Sequence, residues 1–188
     1  PVVLPSNLHS SEFVSVGDAD VDGALDILAA EFDYGYPQAA VLAGDGSGGF
    51  AAGPPFDIDS SLRDIDLAEM NGDGLPDVVL ASATLFKVAG VYYFGRVGTR
   101  LGSGYGGFAP LSVPGGIVFA EEPGFVATGD LDGDGFLDAV SRDLPDSYHI
   151  KLVVGEGSSN GWLGPVSIVG VVPTPQDAAV ADVHGDGL

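Results

Sequence analysis

The chain contains no cysteine. Disulfides and thiolate metal sites are therefore excluded, and the disulfide-dense scaffold of small eukaryotic secreted domains is disfavoured. Secretion by a bacterium remains open. Basic residues are scarce as well. Six Lys plus Arg stand against 27 Asp plus Glu, a formal net charge of −21. Nucleic acid and anionic membrane surfaces need basic groups to neutralise phosphate, so both are poor partners for such a chain. Cations suit it. No apolar run reaches the roughly 20 residues that span a bilayer. No segment carries a helical stripe of about ten residues or more. The start, Pro1–Pro5, lacks the charged and apolar regions of a signal peptide. The P-loop and H-E-x-x-H motifs are missing, as is any Asn-x-Ser/Thr acceptor.

What is present is an apolar, turn-rich chain. Of 188 residues, 45% are hydrophobic, so the acid is not an unstructured tail. Gly numbers 30 and Pro 13, which implies many turns. The carboxylates fall in short clusters between apolar runs. The length is enough for one ordinary domain with a real core.

Those clusters repeat. Gly17–Asp26, Ala68–Asp77 and Gly129–Asp138 align, and a fourth begins at Ala181 and runs to Leu188. Their first acidic positions are Asp18, Glu69, Asp130 and Asp182, spaced 51, 61 and 52 residues apart. A glycine-rich second marker follows each of the first three: Gly44–Phe50, Gly102–Phe108 and Gly155–Trp162. The middle unit holds extra residues around Thr84 to Arg100. Between the markers lie short runs rich in Val, Ile, Phe and Tyr, bounded by Gly, Pro and Asp. Their length and composition predict strands. The aligned third runs are Ala39–Ala43, Val91–Phe94 and Ile150–Val154, and Leu111–Val113 is among the fourth. About four strands per unit of roughly 50 residues predicts an all-β fold of propeller-type blades, each of antiparallel strands.

The acidic loops read D-x-D-x-D-G-x-x-D. Side-chain oxygens at positions 1, 3 and 5 of a tight loop can converge on one centre. Glycine at position 6 permits the sharp turn. A carbonyl at position 7 and a carboxylate at position 9 complete an all-oxygen shell, which selects Ca²⁺ ahead of Mg²⁺. Site one is then Asp18, Asp20, Asp22, the carbonyl of Ala24, and Asp26. Site two is Glu69, Asn71, Asp73, the carbonyl of Leu75, and Asp77. Its longer Glu69 and neutral Asn71 predict a weaker or distorted site. Site three is Asp130, Asp132, Asp134, the carbonyl of Phe136, and Asp138. A fourth would use Asp182, His184 and Asp186. An EF-hand is disfavoured, because position 12 is Ala29, Leu80 or Ser141 and the flanks are strand-like. Turn formation alone would account for one such loop, but poorly for three in register.

These residues resemble the FG-GAP/VCBS repeats of integrin α-chain-like propellers. The acidic loops match the calcium loops of that family, and Gly44–Phe50 and Gly102–Phe108 its glycine–phenylalanine turns. The resemblance implies a secreted or surface propeller, commonly of seven blades, whose loops hold Ca²⁺ mainly for structure. Adhesion, carbohydrate binding and support of attached enzymes are the roles it brings. The departures are Glu69, Trp162 in place of Phe, and His184.

The expected layout is the end of a preceding blade at 1–12, repeats at 13–60, 61–115 and 116–172, and a fourth start at 173–188. Three blades do not close a ring of four to eight. The chain is accordingly expected to be a window on a longer propeller or to be completed by neighbouring copies. Its expected role is a non-enzymatic, calcium-stabilised structural or adhesion module, extracellular or at a bacterial cell surface. The alternatives are a lectin-like carbohydrate binder and, behind it, a propeller-borne polysaccharide lyase. Arg96 and Arg100 near Tyr92, Tyr93 and Tyr105 are candidates for gripping a sugar or a partner chain. His9 and His149 read as isolated.

Overall fold

Short apolar runs bounded by turn residues form strands, and no helix occurs among the described residues. The computed structural model describes residues 12–31, 37–88, 91–110, 117–119, 123–146, 149–164, 166–171 and 177–181. Among the described residues there are seventeen strands. They are β1 (Phe13–Gly17), β2 (Asp26–Glu31), β3 (Gln38–Gly44), β4 (Phe50–Ala52), β5 (Phe56–Asp57), β6 (Leu62–Ala68), β7 (Asp77–Ser82), β8 (Phe86–Val88) and β9 (Val91–Tyr93). They continue with β10 (Gly95–Arg100), β11 (Gly102–Gly104), β12 (Gly107–Phe108), β13 (Ile117–Phe119), β14 (Ala127–Gly129), β15 (Asp138–Asp146), β16 (His149–Gly155) and β17 (Val166–Val171).

Three antiparallel sheets carry the repeats. Their orders are β1-β2-β3-β4 with β5 also on β3, β6-β7-β10-β13, and β14-β15-β16-β17. Two small hairpins, β8-β9 and β11-β12, complete the pairing. The register is equivalent where each acidic loop begins and ends: Gly17 faces Asp26, Ala68 faces Asp77, and Gly129 faces Asp138.

The core lies between the sheets, and β7 shows how. All six of its residues are buried. Side chains alternate across a strand, so Val78 and Leu80 pack toward the first sheet with Leu28, Ala30, Ala39, Val41 and Ile65. Val79 and Ala81 pack the other way, with Met70, Val97, Val126, Ala139 and Val153. A strand covered on both faces needs a continuous apolar run, and Val78–Ala81 supplies one. Each fully buried Val or Leu is worth about 1.5–3 kcal/mol.

The first strands of the sheets stand side by side, and one carboxylate bonds to both neighbours of the middle strand. Asp66 on β6 accepts the Ser15 hydroxyl of β1 at 2.9 Å and the Thr128 hydroxyl of β14 at 3.0 Å. The segment 177–181 continues the series. A Cβ added to Gly129 would lie 2.3 Å from Val180 Cγ1, just as one added to Gly17 would touch Leu67 at 3.6 Å.

Two details differ from the sequence reading. The third strand of the middle sheet is β10, Gly95–Arg100, whereas the expected run Val91–Phe94 supplies β9 of the inserted hairpin. The run 95–100 reads as polar, yet its two arginines are accommodated. Arg96 holds Asp59 through Nε at 2.6 Å and Nη2 at 2.7 Å. Arg100, only 8% exposed, donates to the carbonyls of Ala109 and Asp57 and lies 5.0 Å above the Phe56 ring. Of the nearby tyrosines, Tyr92 sits under Lys87 and Tyr105 is 97% exposed at a turn, while the side chain of Tyr93 lies outside the described residues. The second difference is β13, which falls within the expected third repeat at 116–172. It pairs with β10 and completes the middle sheet. The expected run Leu111–Val113 lies outside the described residues.

Candidate metal centre

Each acidic loop joins the first strand of a sheet to the second, and its backbone needs left-handed turns. At position 6, Gly23, Gly74 and Gly135 have φ of 91°, 81° and 91°. Position 4 is left-handed too, with Gly72 at 76°, Gly133 at 79° and Val21 at 63°. Glycine adopts such angles freely, whereas a β-branched residue does so under strain.

The carboxylates organise the loop through its amides. At position 1, Asp18 accepts from the amides of Asp22 and Gly23 at 3.0 and 2.9 Å. Asp130 accepts from Gly133 and Gly135 at 2.8 and 2.9 Å. Glu69 gathers three amides, of Asn71, Gly72 and Asp73, on the single oxygen Oε1. At position 5, Asp22, Asp73 and Asp134 each accept the amide two residues on, at 2.7, 2.8 and 2.9 Å.

Position 9 does something the sequence did not announce. Asp26, Asp77 and Asp138 are 0%, 0% and 2% exposed. One oxygen of each takes an amide at the start of its own loop, from Ala19, Met70 or Leu131, at 2.7, 2.8 and 2.9 Å. The other takes the amide of a glycine in the second marker, from Gly44, Gly102 or Gly157, at 2.8, 2.7 and 2.8 Å. The two sequence markers are therefore one unit, joined by a buried carboxylate. The third equivalent glycine is Gly157, two residues beyond the Gly155 of the sequence alignment. A two-residue slip leaves every side chain on its own face, so alternation alone does not reveal it.

In the first loop, carboxylate oxygens of Asp18, Asp20 and Asp26 lie within 4.8 Å of one another, and in the third so do those of Asp130, Asp132 and Asp138. Asp22 and Asp134 are outside these groups, their carboxylates being turned to the amides of Ala24 and Phe136. Among the described residues the second loop forms no such acidic trio; its position 3 is Asn71, whose Nδ2 donates to Asp73 at 3.0 Å. Asp182, His184 and Asp186 lie outside the described residues.

The electrostatics of the loops record the crowding. Burial, with Asp26 and Asp22 beside it, pushes the Asp20 carboxyl above the ordinary range. Burial likewise raises Asp77, against the lowering pull of its hydrogen bonds from Gly102 and Met70. An ionised carboxylate offers about four lone-pair sites, so those already accepting amides retain capacity for a cation. An all-oxygen set of this kind fits a hard divalent ion.

Residues 14–80 match the family model described as an FG-GAP-like repeat. The chain carries an FG-GAP-like repeat. The matched stretch runs from β1 into β7 and includes the first two acidic loops. The third sheet, beyond it, repeats their geometry. No curated protein matches the chain at a significant level.

Proposed function

We propose that the chain is a calcium-stabilised, non-catalytic module of the FG-GAP type, acting at the cell surface or outside the cell in adhesion or assembly. One observation carries the reading: carboxylate trios converge in the first and third loops, at equivalent register, on a fold tied together by the same loops. Asp18, Asp20 and Asp26 would hold one ion, and Asp130, Asp132 and Asp138 another. A bound cation supplies the positive charge that three crowded carboxylates call for. The chain's own residues do the rest. The ninth-position aspartates fix each loop to its glycine turn, and Asp66 fixes the neighbouring first strands. Further copies, or the rest of a longer propeller, are the natural partners of a row of such sheets.

Thermal melting in millimolar Ca²⁺ and in excess chelator tests the reading. At about 1 mM ion and a Kd of about 10⁻⁴ M, each filled site adds about 1.4 kcal/mol. Two sites then raise the Tm by roughly 5–10 °C for a chain of this size. An identical melt in both conditions sinks the proposal.

A further inference from the structure

The second acidic loop contains an Asn-Gly pair, Asn71-Gly72, and its surroundings are those of a reaction centre. Glycine has no side chain to shield its amide nitrogen, so this nitrogen can reach the side-chain carbonyl carbon of the preceding asparagine. Here the Gly72 N–H points at the Glu69 carboxylate, with Oε1 at 2.7 Å. The Asp73 amide donates to Asn71 Oδ1 at 3.0 Å, where negative charge develops when the carbonyl is attacked. Gly72, Asp73 and Gly74 are exposed, so water has access. A base at the nucleophile and a donor at the oxyanion are the two aids that such an attack requires.

We propose that Asn71 is a site of spontaneous deamidation, promoted by Glu69. The Gly72 amide proton passes to the Glu69 carboxylate as the Gly72 nitrogen bonds to Asn71 Cγ. The tetrahedral centre collapses, the Cγ–Nδ2 bond breaks, and the proton returns to the departing nitrogen, which leaves as ammonia. Water then opens the cyclic imide at either carbonyl. One opening leaves a normally linked aspartyl residue in place of Asn71, and the other an isoaspartyl linkage. The first puts a carboxylate at position 3 of the loop, matching Asp20 and Asp132. The second lengthens the backbone by one atom and breaks the loop's geometry. The reaction needs no bound metal.

The other Asn-Gly pair described is an internal control. Asn160 Oδ1 also accepts an amide, from Trp162 at 3.0 Å. The Gly161 nitrogen, however, is buried and donates at 2.8 Å to the neutral carbonyl of Ser158, which takes up no proton. The second aid is present there and the first is missing.

Peptide mapping by mass spectrometry after incubation in chelator at mildly alkaline pH separates the two sites. Trypsin releases Asn71 in Asp64–Lys87 and Asn160 in Leu152–Leu188. In the native chain, Asn71 is expected to convert at least about tenfold faster than Asn160, a barrier difference of about 1.4 kcal/mol. In urea, where both are plain Asn-Gly pairs, the rates should converge. Glu69→Gln should bring the native Asn71 rate down toward that of Asn160 without altering the rate in urea. Equal native rates at the two sites, or a native preference that persists unchanged in urea, overturn the proposal. Should Glu69→Gln fail to fold, the native-against-urea comparison on the parent chain decides alone.

Discussion

The α-carbon of Gly102 lies against the carbonyl of Pro76, so closely that an added Cβ would stand 2.3 Å from the oxygen. Gly44 meets Leu25, and Gly157 meets Leu137, in the same way, at 2.2 and 2.1 Å. In each case the carbonyl belongs to the residue just before the ninth-position aspartate that accepts the glycine's amide. Alanine at any of the three forces backbone apart at the hydrogen bond to a buried aspartate. Each substitution is expected to cost about 1–3 kcal/mol or more, read from denaturant melts. By contrast, Gly48→Ala, with nothing within 4 Å, suffers only from its φ of 93°. Near-normal stability in Gly102→Ala would mean that the pin is loose.

Val21 occupies the left-handed position that glycine fills in the other two loops, and it is 53% exposed. Strain of about 1–2 kcal/mol should be relieved by Val21→Gly, against about 0.5–1 kcal/mol of added chain entropy. The variant is expected to be the more stable by up to about 1 kcal/mol. A lower Tm in the variant contradicts the assigned backbone.

Asp132 belongs to a converging trio and Asn71 does not. In millimolar Ca²⁺, Asp132→Ala should therefore lower the Tm more than Asn71→Ala. In chelator the gap between the two should narrow, because the difference arises from ion binding. Equal losses in Ca²⁺ would reverse the ranking of the loops.

Two aspartates should titrate on opposite sides of the ordinary value. Burial raises Asp64, with Asp177 and Asp66 adding, while the amides of Val126 and Ile65 pull it back in part. Asp45 is lowered by hydrogen bonds from the amides of Ser47 and Gly49 and from the Ser47 hydroxyl. The stability linked to Asp64 is complete below the ordinary aspartate pKa and is lost as pH rises through its raised folded value. That linked to Asp45 is present above the ordinary pKa and is lost as pH falls through its lowered folded value. Carboxyl carbon shifts followed by NMR check the order. Asp45 titrating above Asp64 would be the contrary result.

Much of this architecture was legible in the residues. The acidic loops marked the repeat, and strand-forming runs such as Ala39–Ala43 and Ile150–Val154 fell where strands stand. What escaped has physical causes. Arg96 and Arg100 hid β10, because a buried strand that carries its own counter-charges and carbonyl partners does not read as apolar. The ninth-position aspartates read as ligands from spacing, while their second hydrogen bond reaches across 18, 25 and 19 residues. Spacing within a loop cannot convey that. The left-handed angle at position 4 was masked by Val21, which broke the glycine pattern at one site of three.

Asp66 gives the row of sheets a mechanical character. A single side chain on the middle sheet grips hydroxyls on both neighbours, so a pull on any one of the three is shared by the other two at the same point. Traction on an outer sheet therefore passes through the middle one, by way of Asp66 and of the Asp64–Val126 and Ser15–Leu67 hydrogen bonds beside it.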